Sequence, residues 1–345
     1  MKKVTKFIYF LVMPSILFSS ANDAAVVFLT IFPGARAVGM GAAFTAVSDD
    51  ATCTFYNPGG LPFIKSLEVS LQHSNWLTGL WPDMYYEFFG FVNPLGELGA
   101  IGGNVIYLTT GETEAYIEGS DAPIARFVNF DFAVTLNYGY RVFKDLGVGI
   151  GSKFIYSFLA PDWLVKRVFP ESGGGGTGIT YAFDFGLLYK LSFRPESKLL
   201  PGMSFGFSLL NFGPGIRYTR KGGGEDPLPR TLKVGVALPV YTSDAIKLTI
   251  SSDITKILVK LFEDWEEKGF NYVWAEAWKH YGLEFTYYNF VSLRVGYFLD
   301  IEGARIGFMY GGGIRLGKFY FDIGVDSPIY DFETENYRFS LRYVF

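Results

Sequence analysis

The chain has 345 residues, of which 49% are hydrophobic and 19% aromatic, and its formal net charge is −4. A negative net charge argues against a general electrostatic attraction to nucleic acid, so no nucleic-acid partner is expected. The single cysteine, Cys53, excludes a disulfide framework and a cysteine-cluster metal site within these residues. We expect Cys53 to be a small packed residue rather than a nucleophile.

Residues 1–21 have the pattern of a secretory signal peptide. Three lysines lie within residues 2–6, residues 7–18 form a largely apolar stretch, and the small residues 19–21 offer a cleavage site. The apolar stretch is too short to span a bilayer as a helix. We therefore predict that the mature chain is exported.

Residues 34–62 are rich in small residues and follow neither a helical period nor strict alternation. A short helix is predicted over residues 50–56, with Asp49 as its cap and Asn57 at its end. The glycines of this stretch would let the backbone pass close to another part of the chain. Together with the strands that follow, this composition predicts that residues 22–66 form a plug inside a barrel.

Alternation of apolar with polar or small residues dominates the remainder of the chain. Between residues 130 and 140, for example, even-numbered positions are aromatic or aliphatic, whereas odd-numbered positions include Asp131, Thr135 and Asn137. Fourteen strands are predicted, near residues 67–76, 84–92, 97–110, 127–141, 146–159, 179–191, 203–211, 231–240, 245–254, 278–287, 290–299, 304–316, 318–326 and 337–345. Most have about the 9–11 residues that a tilted membrane strand needs.

The predicted connections alternate in length. Those after even-numbered strands are short, apart from residues 192–202, whereas residues 111–126, 160–178, 212–230 and 255–277 are long. A soluble β-sandwich also alternates along its strands, but it has no reason to sort its connections in this way. Bacterial barrels have an even number of strands, short periplasmic turns and longer exterior loops.

These observations predict an all-β protein, a fourteen-stranded antiparallel transmembrane barrel over residues 67–345. It would lie in the bacterial outer membrane, surrounded by lipid, with both termini in the periplasm. Glycines recur on the predicted inward faces, and glycine within a strand marks either a bend or the close approach of other backbone. Charges of both signs share these faces, so we expect ion pairs in the lumen and a carboxylate or carbonyl partner for Arg36.

Residues 34–62 resemble the N-terminal signature of the PorV/PorQ family of FadL-like outer-membrane β-barrel proteins. The matching plug-motif positions are Gly34, Ala35, Arg36, Gly39, Met40, Gly41, Asp49, Asp50, Asn57 and Pro58. Residues 211–238 resemble a second stretch of the same family. Gly59 and Cys53 are small departures from its pattern.

The resemblance implies a FadL-like barrel whose N-terminal segment folds into the lumen as a hatch. It also implies a non-enzymatic role in type IX-like protein secretion, with secreted cargo and surface-attachment proteins as partners and no cofactor. More distant FadL relatives pass hydrophobic small molecules through the wall, so a conduit for such a molecule is the alternative function.

The long connection 255–277 has apolar residues at helical spacing, with further aromatic residues after them. The candidate contact residues are Leu258, Leu261, Phe262, Trp265 and Trp274. One interpretation is an amphipathic helix that covers the barrel or lies on the membrane interface. The other is a surface that contacts a partner or ligand, because an exposed apolar stripe needs burial against something.

Two further patterns complete the sequence-based expectations. Phe345 ends an alternating aromatic strand, which resembles the signal read by the barrel assembly machinery.

Residues 202–206 match the nucleophile-elbow pattern around Ser204, but a strand rather than a helix is predicted after it. His280 shares inward parity with Glu284, as a lumen pair or as part of a site. An outer-membrane hydrolase is therefore a third interpretation, and no catalytic, cofactor or metal residue is assigned.

Overall fold

The computed structural model describes residues 24–116 and 121–345, so the predicted signal peptide lies outside the described residues. Fourteen antiparallel strands form a closed barrel in which each strand pairs with its neighbours in sequence. The barrel closes where β1 (Glu68–Asn75) pairs with β14 (Tyr337–Val344). The predicted fold class and strand number are confirmed.

The remaining strands are β2 (Tyr85–Pro94), β3 (Ala100–Ala115), β4 (Ala125–Phe143), β5 (Leu146–Phe158), β6 (Thr177–Ser192), β7 (Gly202–Phe212), β8 (Thr231–Thr242), β9 (Ile246–Ile257), β10 (Trp278–Tyr287), β11 (Val291–Asp300), β12 (Arg305–Leu316) and β13 (Phe319–Val325). The described α-helices are α1 (Ala35–Gly39), α2 (Cys53–Tyr56), α3 (Asp162–Val168), α4 (Leu261–Lys268) and α5 (Phe270–Glu276). Short 3-10 helices lie at Val27–Thr30, Pro58–Phe63, Gly96–Leu98, Pro170–Ser172 and Ser327–Ile329. In the described part of the chain, no helix is long and apolar enough to cross a membrane.

Successive side chains alternate between the two faces of the wall, as the sequence predicts. In β6, Tyr181 and Phe183 are exposed on the outside, whereas Ala182 and Asp184 are buried on the inside. The outer face is therefore apolar, which is the pattern of a barrel whose wall contacts lipid.

Connections at the two ends of the barrel differ in length. Residues 144–145 and 317–318 are tight turns at one end, which we call the short-turn end. Residues 159–176, 213–230 and 258–277 are longer connections at the other, the long-loop end. This sorting agrees with the predicted pattern of connections.

The predicted loop 111–126 is wrong in part, because β3 continues to Ala115 and β4 begins at Ala125. Their pairing shifts register between Thr109 and Glu112, where Gly111 has a φ of 79°, and then resumes as far as Ala115. A bulge inserts an extra residue and moves later side chains to the opposite face. The alternation that defines a strand in sequence is therefore interrupted, although the strand itself continues.

The described N-terminal segment, residues 24–66, runs through the barrel before β1 begins. The Ala25 N–H donates to the Pro227 carbonyl at the long-loop end, over 2.9 Å. Phe63 lies at the short-turn end, with the Arg141 guanidinium 4.8 Å from its ring centroid. The C-terminal residue also lies at the short-turn end, where the Phe345 N–H donates to Leu67.

These positions concern the described residues only, so the placement of both termini in the periplasm stays a prediction. The even strand count places the start of β1 and the end of β14 at one end, but it does not constrain the chain before β1. The first described residues instead lie among the long loops. There Phe28, Phe32 and Phe44 join a buried apolar core with wall residues that include Trp278 and Phe298.

Candidate functional site

Inward-facing glycines of the wall let the N-terminal segment approach the strand backbone. A Cβ at Gly296 would meet the backbone of Gly41, and one at Gly206 would meet the backbone of Thr45. Other inward glycines meet the segment in the same way: Gly102, Gly139, Gly147, Gly149, Gly186, Gly282, Gly311 and Gly324. The close approach expected at inward glycines therefore occurs around most of the wall.

Not every predicted inward glycine contacts the segment. A Cβ at Gly151 or Gly313 would meet wall side chains, and one at Gly307 would meet the backbone of Pro328. These positions relieve crowding within the wall itself, which is the alternative meaning of glycine in a strand.

Arg36 joins the segment to the wall by ion pairs. It lies on α1, and its guanidinium donates two hydrogen bonds of 2.8 Å to the Glu284 carboxylate of β10. It also donates to Asp49 over 2.6 Å and to Asp50 over 3.0 Å. Burial lowers the pKa of Arg36 because it disfavours the charged guanidinium. The negative charges of Asp49 and Glu284 have the larger effect and hold this pKa well above its ordinary value.

The ion pairs of Arg36 continue into the wall. Arg294 of β11 donates to Glu284 over 2.7 Å and to Asp322 of β13 over 2.6 Å. Together with Arg36, Asp49 and Asp50 these residues form a charge network that links α1 to three strands. The network lines a cavity of about 370 Å³ near the short-turn end. The charge pairing expected in the lumen is present, and Arg36 has the carboxylate partner that it needs.

Backbone groups of the segment bind polar side chains of the wall. The Thr45 N–H donates to Asp253 over 2.8 Å, and the Ala35 N–H donates to Ser340 over 2.9 Å. Gly34 donates in the same way to the side-chain carbonyl of Gln72. These bonds satisfy donors that would otherwise be buried without a partner.

His280 corrects one expectation about the lumen. Its Nδ1 lies 2.8 Å from the carbonyl of Gly41, and its Nε2 lies 3.1 Å from the Thr255 hydroxyl. It does not pair with Glu284, which binds Arg36 and Arg294. Residues four apart in a strand share a face but are separated by about 13 Å, so common parity did not imply contact.

Asn57 and Pro58 turn the segment toward the short-turn end. The Asn57 amide donates to Thr45 over 2.8 Å and to Leu187 of β6 over 2.9 Å. Its side-chain oxygen accepts from the Gly59 N–H at the start of the 3-10 helix that begins at Pro58. The Asn57 side chain therefore caps this 3-10 helix, and it also connects the segment at Thr45 to the wall at Leu187.

The predicted helix 50–56 is shorter in the structure, and its predicted cap is wrong. Only α2 is helical, and Asp49 binds Arg36 instead of the helix N-terminus. Asp50 accepts from the backbone and hydroxyl of Thr52. Although burial raises the pKa of Asp50, Arg342 and Arg36 outweigh it and hold that pKa below its ordinary value.

Some buried polar atoms on the inner face of β3 and β4 have no hydrogen-bond partner among the described residues. The Asn104 amide donates to Thr54, but its carbonyl oxygen has no hydrogen-bond partner among the described residues. The same holds, within the described ranges, for the Thr135 hydroxyl and for both amide atoms of Asn137. Buried polar atoms without a described partner also occur on the other side of the wall, at Ser251 and Asp253 of β9 and at Arg338 of β14.

Four of the five candidate contact residues of the long connection lie on two short helices, α4 and α5. Leu258 precedes α4 and is half-buried, as is Leu261, whereas Phe262, Trp265 and Trp274 are exposed. The predicted amphipathic helix corresponds to α4, and the aromatic residues after it lie on α5. Gly269, between the two helices, has a φ of 82°. Phe270 lies between Trp265 and Trp274, at ring-centroid distances of 5.6 Å and 6.3 Å.

Comparison with known families identifies this arrangement. A family model described as type IX secretion system protein PorV matches residues 19–264, which span the N-terminal segment and β1 to β9. The chain belongs to the PorV family. No curated protein sequence matches this PorV-family chain.

Solved structures show the fold that the PorV-family chain shares. The toluene transporter TbuX of Ralstonia pickettii is 13% identical, with 91% of this chain and 98% of that chain covered and a TM-score of 0.50. The toluene transporter TodX of Pseudomonas putida gives the same identity, coverage and TM-score. A Pseudomonas aeruginosa FadL homologue is 14% identical over 91% of this chain and 99% of that chain, with a TM-score of 0.46. The chain therefore has a FadL-like barrel fold.

The structure supports no catalytic centre at the motif considered in the sequence. Ser204 lies within β7, so the strand, turn and helix of a nucleophile elbow are absent around it. Cys53 is buried, and burial raises the pKa of its thiol well above the ordinary value. Among the described residues, no group of histidine, cysteine and carboxylate side chains could hold a metal ion.

Two contacts were not assigned from the sequence of the PorV-family chain. The first contact is the ion pair of Arg36 with Glu284. The sequence predicts that Glu284 faces inward, but it does not predict the position of the segment that brings Arg36 to it. The second contact is that of Phe270 with Trp274, for which the sequence offers a signal, because a spacing of four residues places two rings together on a helix.

Proposed function

We propose that this PorV-family chain is a non-enzymatic component of type IX-like protein secretion that binds exported proteins in the outer membrane. The family match carries the proposal. The packing of the N-terminal segment against inward glycines on most strands supports it, because such packing suits a binding component better than an open channel.

We further propose that residues 22–66 act as a plug. The charge network around Arg36 and the hydrogen bonds to Asp253 and Ser340 would keep the segment in place. The short-turn end would face the periplasm and the long-loop end the exterior, because this is how outer-membrane barrels sort their connections. Exported partners would then be met by the long loops.

Affinity capture from solubilised membranes tests the main proposal. The family resemblance implies cargo that is recognised by a C-terminal signal domain. The tagged full-length chain should therefore co-purify exported proteins that share such a domain, as identified by quantitative mass spectrometry. An unrelated tagged outer-membrane barrel is the control. Equal amounts of these proteins with both baits would contradict the proposal.

A conduit for hydrophobic small molecules is the second candidate, because the fold is FadL-like. The lumen near the long-loop end would also be apolar if the segment moved, since Phe298 and Trp278 line it. Uptake of toluene into vesicles that contain the purified chain tests this function. Uptake above that of empty vesicles supports it, and equal uptake argues against it.

A further inference from the structure

Four large aromatic side chains project from the long-loop end. They belong to the helical hairpin, which we define as residues 261–276 with α4 and α5. Phe262 is 80% exposed, Trp265 53%, Phe270 55% and Trp274 48%. We call these four residues the aromatic ridge. Clustered aromatic rings with this exposure are typical of a surface that is covered when a partner binds.

The aromatic ridge is held in a defined arrangement. The rings of Phe270 and Trp274 are nearly parallel, with an interplanar angle of 22°. Lys256 forms an ion pair with Glu276, and the Lys279 ammonium donates to the Trp274 carbonyl over 2.6 Å. These contacts connect the hairpin to the barrel strands. A preorganised surface loses less conformational entropy when it binds.

Carboxylates lie beside the ridge on α4. Asp264 is paired with Lys268 over 2.9 Å, and Lys268 also lies 4.3 Å from the ring centroid of Tyr272. Glu263, Glu266 and Glu267 point to solvent on the same helix. The hairpin therefore presents aromatic rings together with exposed negative charge.

This combination favours a protein partner over the membrane surface. Helices that lie on membranes carry lysine and arginine on their polar face, which attract anionic lipid headgroups. The acidic face of α4 would be repelled by the same headgroups. A lysine or arginine side chain, in contrast, can stack on an aromatic ring and pair with a neighbouring carboxylate.

We propose that the aromatic ridge and the carboxylates of Glu263, Glu266 and Glu267 bind a basic segment of an exported protein. The inference rests on the proposed function and adds the chemistry of the partner. Aromatic rings would supply contact area at the centre of the interface, as they do in binding hot spots. The carboxylates would select positive charge and speed association.

Capture with variant chains tests the role of the ridge. One variant combines Glu263→Lys, Glu266→Lys and Glu267→Lys, and a second combines Trp265→Ser, Phe270→Ser and Trp274→Ser. Both should lower the amount of captured exported protein about tenfold or more.

Matched controls change equivalent features on other long loops. Trp163→Ser removes a 51% exposed aromatic residue on α3, and Glu333→Lys with Glu335→Lys reverses exposed acidic charge before β14. Both controls should capture within about twofold of the wild type. Heat-modifiable migration of every variant checks that the barrel has formed.

Purified full-length chain in detergent gives a direct test with defined probes. A synthetic peptide of alternating arginine and valine should bind, whereas the same peptide with glutamate in place of arginine should not. Vesicles of phosphatidylethanolamine and phosphatidylglycerol test the membrane as occupant. Binding of the ridge to vesicles, with no preference for the basic peptide, would overturn the proposal.

The two levels of the proposal fail in different ways. If wild-type chain captures exported proteins and the charge-reversed hairpin captures them equally well, the ridge is not the binding surface, although the proposed function holds. If wild-type chain captures no exported protein, the proposed function itself is wrong.

Discussion

Arg36 connects the N-terminal segment to three carboxylates, and one of them belongs to the wall. Its side chain is 16% exposed and that of Glu284 is 11% exposed, so the pair is largely shielded from water. Breaking a buried pair by removing one partner costs more than the pair contributes, because the other charge stays buried without compensation. Without the Arg36 side chain, Glu284 would still pair with Arg294. Asp49 and Asp50 would then face the Glu284 carboxylate without the guanidinium that separates them.

We therefore expect Arg36→Ala to destabilise the packed segment by about 3–5 kcal/mol. Hydrogen exchange of residues 34–62 in the purified barrel measures this loss as faster exchange. Arg126→Ala is the matched control, because Arg126 pairs with Glu114 over 2.8 Å but is 62% exposed. Its effect should stay below about 1 kcal/mol. Similar exchange in both variants would show that the charge network does not hold the segment.

Gly296 gives a steric test of the same interface. A side chain at this position would overlap the backbone of Gly41, so Gly296→Val should displace the segment. Protease digestion of the folded barrel should then cleave within residues 34–62, whereas the wild type should be protected there because most of these residues are buried. Gly312→Ala is the control, because a Cβ there has a single neighbour, the Ser292 carbonyl at 3.8 Å. Protection that survives Gly296→Val would contradict the packing described above.

At the level of residues, sequence predicts which face a side chain occupies but not what it touches. The inward glycines and the need of Arg36 for a partner follow from parity and composition. The choice of Glu284, and the failure of His280 to pair with it, depend on strand register and on where the segment passes. The alternation within one strand predicts neither the strand register nor the path of the segment, because both depend on contacts between residues far apart in the chain.

The strands are the elements that sequence predicts best, because each carries its own alternating pattern. The predicted strand bounds differ from the structure where an irregularity interrupts the alternation, as the bulge near Gly111 does between β3 and β4. The N-terminal segment is harder, since its residues are small and follow no period. Its burial could be predicted from the glycines, but its direction through the barrel could not.

The outer faces of the strands should tolerate charge poorly. Phe339→Arg places a cation on the lipid side of β14 and should cost about 2–4 kcal/mol near the bilayer midplane, and less toward its edges. Unfolding in urea from lipid vesicles measures this cost. Thr286→Arg, on the inward face beside the cavity of the charge network, is the control and should cost less. Equal costs on both faces would be incompatible with the assigned topology.

The last strand offers a test of assembly. Deletion of Phe345 should lower the amount of heat-modifiable barrel in the outer membrane, if the terminal aromatic residue is read by the assembly machinery. The Phe345 ring lies 4.6 Å from that of Tyr343 and is 57% exposed, so little packing is lost with it. Phe345→Tyr keeps an aromatic terminus and should assemble normally. Undiminished assembly of the deletion would contradict this role.

As a whole, the molecule combines a FadL-like wall with an N-terminal segment that packs against its inward glycines. The fold could be predicted from strand number, connection length and the family signature, because each constrains the barrel independently. The identity of the partner could not be predicted, since neither the fold nor the family determines which surface binds it. Trp265 and Trp274 were predicted contact residues, but the packing of Phe270 between their rings follows only from the structure of the hairpin.

Removal of this protein from its own cells tests the central claim most directly. Exported proteins that share a C-terminal domain should then accumulate inside the outer membrane, and restoring the wild-type chain should return them to the cell surface. Quantitative mass spectrometry of periplasmic and surface fractions measures the shift. Unchanged delivery to the surface, together with lost uptake of a hydrophobic compound such as toluene, would contradict the secretion role and support the conduit.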